Sequence, residues 1–280
     1  FVAFNSYLGL LIWPIAALGW ITNMFQRGSI SLKRINEILN VAPEITDPPD
    51  AANIIEIKGR IEFRNLSFTY PGTDSPVLKN INITLEEGKT LAIVGRTGSG
   101  KTTLINLVPR LYNVERGTLL IDGLDINQIP VSSLRSSIGF VPQDSFLFSS
   151  TIKDNIDFFQ EKDQVSIENA SKLAKVYDNI IEFPKGFNTM VGERGVTLSG
   201  GQKQRISIAR AILRKPSILI LDDCLSAVDT HTEEEILNGL KEIMKQRTSI
   251  IVSHRISTIK DADEIIVLDG GEIVERGTHE

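Results

Sequence analysis

The stretch GRTGSGKTT, residues 95–103, decides the reading of this chain. It satisfies the pattern G-x-x-x-x-G-K-[ST], and it follows the strand-like TLAIV and precedes the helical TLINLV. In that setting the glycines let the chain wrap so that successive backbone N–H groups face one phosphate chain. From average residue usage, a chance match somewhere in a chain this long is roughly one in a hundred. Gly95, Arg96, Thr97, Gly98, Ser99, Gly100, Lys101, Thr102 and Thr103 are therefore candidate nucleotide contacts. Lys101 is placed to reach the β- and γ-phosphates, and the Thr102 hydroxyl to bind Mg²⁺.

Short apolar runs surround this loop. TLAIVG, ILILDD and SIIVSH are continuous apolar segments, as strands buried on both faces of a parallel sheet are. IEFRNLSFTY alternates apolar and polar residues, the pattern of a half-buried strand. EIIVLDGGEIVERG carries a Gly-Gly step between two strand-like runs, a hairpin signal. The body is expected to be α/β, with a parallel core sheet and antiparallel strands at its edge. A buried strand ending in Asp222 puts a carboxylate at the tip where α/β sheets bind ligands, there to hold Mg²⁺ directly or through water. Asp223, next in line, would face the γ-phosphate and position or deprotonate the attacking water.

Composition narrows the classes. Thirty basic residues against 35 acidic ones give a net charge of −5 in 280 residues, which argues against a nucleic-acid partner. The single cysteine, Cys224, allows no intrachain disulfide and fits a reducing compartment. Residues 1–26 carry no charge. As a helix they would extend about 39 Å, enough to cross a bilayer core of roughly 30 Å. Pro14 is tolerated in membrane helices, and Arg27, Lys33 and Arg34 put the C-terminal end on the cytoplasmic side. A buried core helix or an apolar oligomer contact is the alternative. The opening Phe reads as the start of a fragment. RGSISLKRINEILN keeps helical spacing, and VAPEITDPPD breaks it as a linker. The expected organisation is 1–40, a last transmembrane helix with its cytoplasmic extension; 41–58, a linker; and 59–280, the nucleotide-binding domain.

LSGGQKQR, residues 198–205, names a family. The chain resembles ATP-binding-cassette (ABC) proteins, and further motifs occur in the family's order: FTYPG with Tyr70, VPQD with Gln143, LSAVD with Asp229, and IVSHR with His254. VGERG, residues 191–195, is similar to the exporter-type loop that touches the cytoplasmic ends of membrane helices. The resemblance implies a phosphate-loop NTPase cassette: a parallel core sheet, an antiparallel β-subdomain and a helical subdomain, preceded by the end of a transmembrane helix. It implies ATP and Mg²⁺ as cofactors. Tyr70 would stack on adenine, although without the phosphate loop its ring would read as core. Gln143 would sense Mg²⁺ and the water, and His254 would hydrogen-bond the γ-phosphate. Ser199, Gly200, Gly201 and Gln202 would cap the γ-phosphate held by an opposite subunit, and Asp229 would line that dimer interface.

The resemblance carries one departure. Most active members have glutamate directly after the magnesium aspartate; here that residue is Asp223. A carboxylate one methylene short of its target predicts slow hydrolysis of this chain's own ATP. The implied protein is an exporter half-transporter in a bacterial inner or plasma membrane, with the nucleotide domain in the cytoplasm. Its partners would be a second half-transporter (a heterodimer favoured, a homodimer possible), its own transmembrane domain, membrane lipid and an unidentified substrate. A mainly regulatory ATP-binding subunit and a soluble ABC ATPase are the alternative functions.

Overall fold

A computed structural model describes residues 1–48, 56–158, 160–192, 197–225 and 230–279, with residues 230 and 231 described by backbone alone. The chain divides into two compact units, Phe1–Glu44 and Ile45–Glu280. The first is one long helix, α1 (Val2–Leu39), which runs unbroken past Pro14 and buries none of its residues. Its apolar part has a mean hydropathy of 1.6 over an 18-residue window, so α1 is long and apolar enough to cross a membrane.

The second unit holds two sheets. The strands are β1 (Ile61–Phe68), β2 (Leu78–Leu85), β3 (Thr90–Val94), β4 (Leu119–Ile121), β5 (Leu124–Asp125), β6 (Ile138–Val141), β7 (Ile218–Asp222), β8 (Thr248–Val252), β9 (Glu264–Asp269) and β10 (Glu272–Gly277). The helices after α1 are α2 (Lys101–Leu107), α3 (Val131–Ser136), α4 (Ile152–Asp157), α5 (Gln164–Leu173), α6 (Tyr177–Glu182), α7 (Gly200–Leu213), α8 (Thr230–Met244) and α9 (Ile256–Ile259). The larger sheet runs β10-β9-β3-β8-β7-β6. Its neighbours pair in parallel except for β10, which closes the hairpin expected around Gly270 and Gly271. The smaller sheet, β2-β1-β4-β5, is antiparallel.

All five residues of β7 and of β8 are buried, which is why Ile218–Leu221 and Ile250–Val252 read as apolar runs. Side chains alternate across a strand, and here the alternation feeds two cores. Ile218, Ile220, Ile250 and Val252 join β1, β2 and α2 in one cluster. Leu219, Leu221 and Ile251 face the other way, toward α4–α8. The β-rich layer and the helical layer thus share the parallel sheet. Their chemistry-bearing loops emerge at the ends of β3, β7 and β8.

The second unit takes hold of the chain well before β1. Arg110, 4% exposed, donates from Nη2 to the Thr46 carbonyl at 3.1 Å, and Asp47 Oδ1 accepts from the Val131 amide at 2.7 Å. The Asp122 carboxylate then accepts from the amides of Lys58, Gly59 and Arg60 at 2.7–3.0 Å. Three backbone donors that no strand serves are satisfied by one side chain.

Candidate functional site

The phosphate loop follows β3 directly. At Gly95, with φ +154°, a Cβ would lie 2.2 Å from the Leu268 carbonyl oxygen of β9, so no other residue fits without moving backbone. Gly100 caps α2 with φ +102°, a left-handed conformation that turns the chain from loop into helix. Lys101, 7% exposed, donates from Nζ to the carbonyls of Gly95 and Arg96 at 2.7 and 2.8 Å. Burial lowers its pKa, against the pull of Asp222 and Asp223.

Asp222 ends β7 at 3% exposure and accepts from Thr102 Oγ1 at 3.1 Å. Burial raises the Asp222 pKa; the Thr102 hydrogen bond opposes that, Asp223 adds to it, and Lys101 opposes it. Two carboxylates and one ammonium therefore meet at a poorly solvated spot, a site short of positive charge that a divalent cation would supply. Among the described residues the buried Ser99 hydroxyl has no hydrogen-bond partner. Backbone wrap, Lys101 and the Thr102–Asp222 pair together fit a triphosphate with Mg²⁺. No group of three or more His, Cys, Asp or Glu among the described residues could hold a metal alone. Mg²⁺ is ordinarily held by one or two protein oxygens plus phosphate and water.

Asp223 leaves the sheet with φ +42°, and its amide donates to the Val252 carbonyl at 2.8 Å, tying the ends of β7 and β8. A cavity of about 310 Å³ brings Thr97, Gly98, Gly100, Lys101, Thr102 and Thr103 together with Gln143, Asp222, Asp223 and His254. Gln143 comes from the loop after β6 and His254 from the turn after β8, and both side chains are exposed at its rim. Behind His254, the Glu233 carboxylate of α8 forms an ion pair with Arg255 and accepts from Thr258 Oγ1 at 3.0 Å.

The remaining candidates lie apart from this cavity. Gly95, Arg96 and Ser99 shape the loop without lining the cavity. Tyr70 is half-buried, edge-on to Phe68 and Tyr112 with ring centroids 5.1 Å apart in both pairs, and its hydroxyl is 2.8 Å from Thr103 Oγ1. It sits beside the loop while packing on the β-rich core. Ser199 caps α7: its hydroxyl accepts from the Gln202 amide at 3.2 Å, and Gln202 Oε1 accepts from the Ser199 amide at 2.9 Å. Ser199, Gly200, Gly201 and Gln202 are not in the cavity of the same chain. Asp229 and residues 193–195 of the VGERG loop fall outside the described residues. Val77 and Val252 line the cavity without having been singled out from the sequence; as single apolar residues they carry no signal there.

These features define a phosphate-loop nucleotide cassette. The family model described as ABC transporter matches residues 78–226, and the chain belongs to that family. It is 48% identical, over all of its length, to a probable multidrug resistance ABC transporter ATP-binding/permease protein, YheI, of Bacillus subtilis (strain 168), and covers 48% of that relative. It is 44% identical to an ATP-dependent lipid A-core flippase of Syntrophus aciditrophicus (strain SB), again over its full length and covering 46% of the relative. Among solved structures, a bacterial Atm1-family ABC exporter with ATP bound superposes with a TM-score of 0.88 at 38% identity. That match covers 99% of this chain and 49% of the other. The chain spans about half the length of the curated relatives it matches.

Proposed function

We propose that this chain is the ATP-binding and hydrolysing domain of an ABC exporter, with α1 as the end of its transmembrane part. ATP-driven dimer closure and hydrolysis would be coupled to export of a substrate across a membrane. The observation that carries this reading is the convergence of Lys101, the Thr102–Asp222 pair, Asp223, Gln143 and His254 on one cavity at the ends of β3, β7 and β8. Mg²⁺ would be held by Thr102, Asp222 and Gln143, with the phosphates supplying further oxygens. Bound Mg²⁺ would neutralise charge developing on the phosphates. Lys101 orients the phosphate tail, His254 holds its outer end, and Asp223 is the group available to accept a proton from water. Tyr70 would lend a ring face to adenine. Ser199, Gly200, Gly201 and Gln202, remote from the cavity of their own chain, would complete the site of a second subunit, with Asp229 at the interface.

A second reading is favoured by one residue. Asp223 is too short for an ordinary general base, so this subunit would hold ATP mainly as a regulatory site and leave turnover to a partner with its own glutamate. The test is steady-state ATP turnover and equilibrium ATP binding by the full-length subunit reconstituted alone in lipid vesicles. Tight, Lys101-dependent ATP binding with near-silent turnover supports the heterodimer. An ordinary exporter rate makes the protein a self-sufficient homodimer. Failure to bind ATP overturns the whole reading.

A further inference from the structure

Glu233 is the most deeply buried carboxylate in the described part of the chain, 1% exposed in the first turn of α8. Its neighbours Glu234 and Glu235 are exposed. Among the described residues its polar contacts lead to one place. The carboxylate pairs with the Arg255 guanidinium, accepts from Thr258 Oγ1 at 3.0 Å, and lies 3.4 Å from the Ser257 hydroxyl that donates to it. These are the residues immediately after His254. On the other side of the histidine, the Arg255 amide donates to Ser253 Oγ at 3.1 Å, and Ser253 is itself buried at the end of β8.

Among the described residues, the other anchor of this segment is the Lys241–Asp261 ion pair at 2.7 Å, which ties the chain just beyond α9 to α8. Helix α9 is four residues long and buries none of its side chains. A helix that short does not hold its shape alone, because nucleation costs more than so few hydrogen bonds return. With no side chain fully buried, its near end depends on the polar contacts to Glu233, while the Lys241–Asp261 pair holds its far end. A buried carboxylate is also a costly support, since desolvation consumes much of what its ion pair returns. An apolar residue in that turn of α8 would pack without the cost, yet it would remove the acceptor that Arg255, Ser257 and Thr258 share. His254 is exposed and lines the same cavity as Lys101.

We propose that Glu233 is a positioning residue for His254: through Arg255 and the α9 hydroxyls it fixes the turn that presents the imidazole to the terminal phosphate. The proposal rests on the nucleotide reading above. It places Glu233 outside contact with any ligand, so its effect travels only through the histidine. It also ties α8 to the β8 end, which carries His254.

The experiment is equilibrium binding of Mg²⁺ with a non-hydrolysable ATP analogue, and separately of Mg²⁺ with ADP, to the full-length subunit in lipid vesicles. The variants are Glu233→Gln, His254→Ala and the double variant. The loss of one charge-assisted contact to the γ-phosphate corresponds to ~10-fold in affinity. Glu233→Gln is expected to weaken the triphosphate by that factor, leave ADP within about twofold, and add nothing in the His254→Ala background. Intact ADP binding also reports that the variant is folded. Should Glu233→Gln fail to fold, Arg255→Gln, altered at the half-exposed end of the same pair, is read in its place with the same expectation. Unchanged triphosphate affinity overturns the proposal. So does equal weakening of both nucleotides, or a further loss on top of His254→Ala. If the wild type binds neither nucleotide, the site reading itself fails, a result distinct from all of these.

Discussion

Replacing Asp223 with glutamate tests two consequences of one residue that pull in opposite directions. The shorter side chain withdraws the carboxylate by about one C–C bond, roughly 1.5 Å along the bond. A misplacement near 1 Å costs about a hundredfold in rate, or about 2.7 kcal/mol of barrier. Asp223→Glu is therefore expected to raise kcat of the reconstituted subunit by about a hundredfold. The backbone answers differently. Residue 223 sits at φ +42°, a left-handed conformation that Asp tolerates better than most residues because its short polar side chain bonds locally. Glutamate lacks that tolerance, and a left-handed residue costs roughly 1–2 kcal/mol. About 1 kcal/mol of lost stability lowers Tm by roughly 2–4 °C in a unit of this size. The assays are steady-state phosphate release and thermal unfolding on the same preparations, with Asp223→Gly as the control that relieves the backbone but removes the carboxylate. A gain below about threefold in the folded glutamate variant, far short of the reach penalty, refutes the reach argument. A glutamate variant that melts no lower than wild type refutes the backbone argument.

Three further outcomes follow from the geometry. Gly95→Ala drives a methyl group into the Leu268 carbonyl; it should cost about 1–3 kcal/mol in urea unfolding and abolish detectable ATP binding in a titration. Burial raises the Asp222 pKa above its ordinary 3.8, so between 3.8 and the raised value the folded state holds a proton that the unfolded chain has released. Stability without nucleotide should then fall as pH rises through that window, while Mg²⁺–ATP affinity rises; a melting series from pH 3.8 upward checks the sign, and Asp222→Asn should flatten it. The Cys224 thiol is buried and pushed up to about 12. It should resist iodoacetamide in the native protein and react only as the chain unfolds, which mass spectrometry reads directly.

The parallel strands were legible because burial on both faces leaves no polar residue in β7 before Asp222, and the glycine loop because its conformation excludes nearly every other residue at Gly95. The helical layer was less so. Helices α4 and α6 have six residues each, too few for a 3.6-residue period to declare itself, and their places are set by packing, α4 against α7 and α6 against α5 and the turn at Gly186–Asn188. Strands β4 and β5, of three and two residues, carry no alternation worth reading. Tyr70 shows the limit at the site: the sequence supplies a ring beside the phosphate loop, but only the fold shows that ring edge-on to Phe68 and Tyr112 with its hydroxyl on Thr103.

Glu233 shows where a signal was present and easily passed over. In TEEEIL it is one acid of three, and in composition it resembles a solvated helix face. Yet Ile236, Leu237 and Leu240 form the buried stripe of α8, and Glu233 stands three, four and seven residues before them, on the same face. A carboxylate at a stripe position is out of register with the helix it belongs to, because that face is dry. Such a residue must find a cation and hydroxyl donors or raise the cost of folding by several kcal/mol. The acids at 234 and 235 meet no such demand, and that difference in phase separates a solvated glutamate from one that holds the His254 turn.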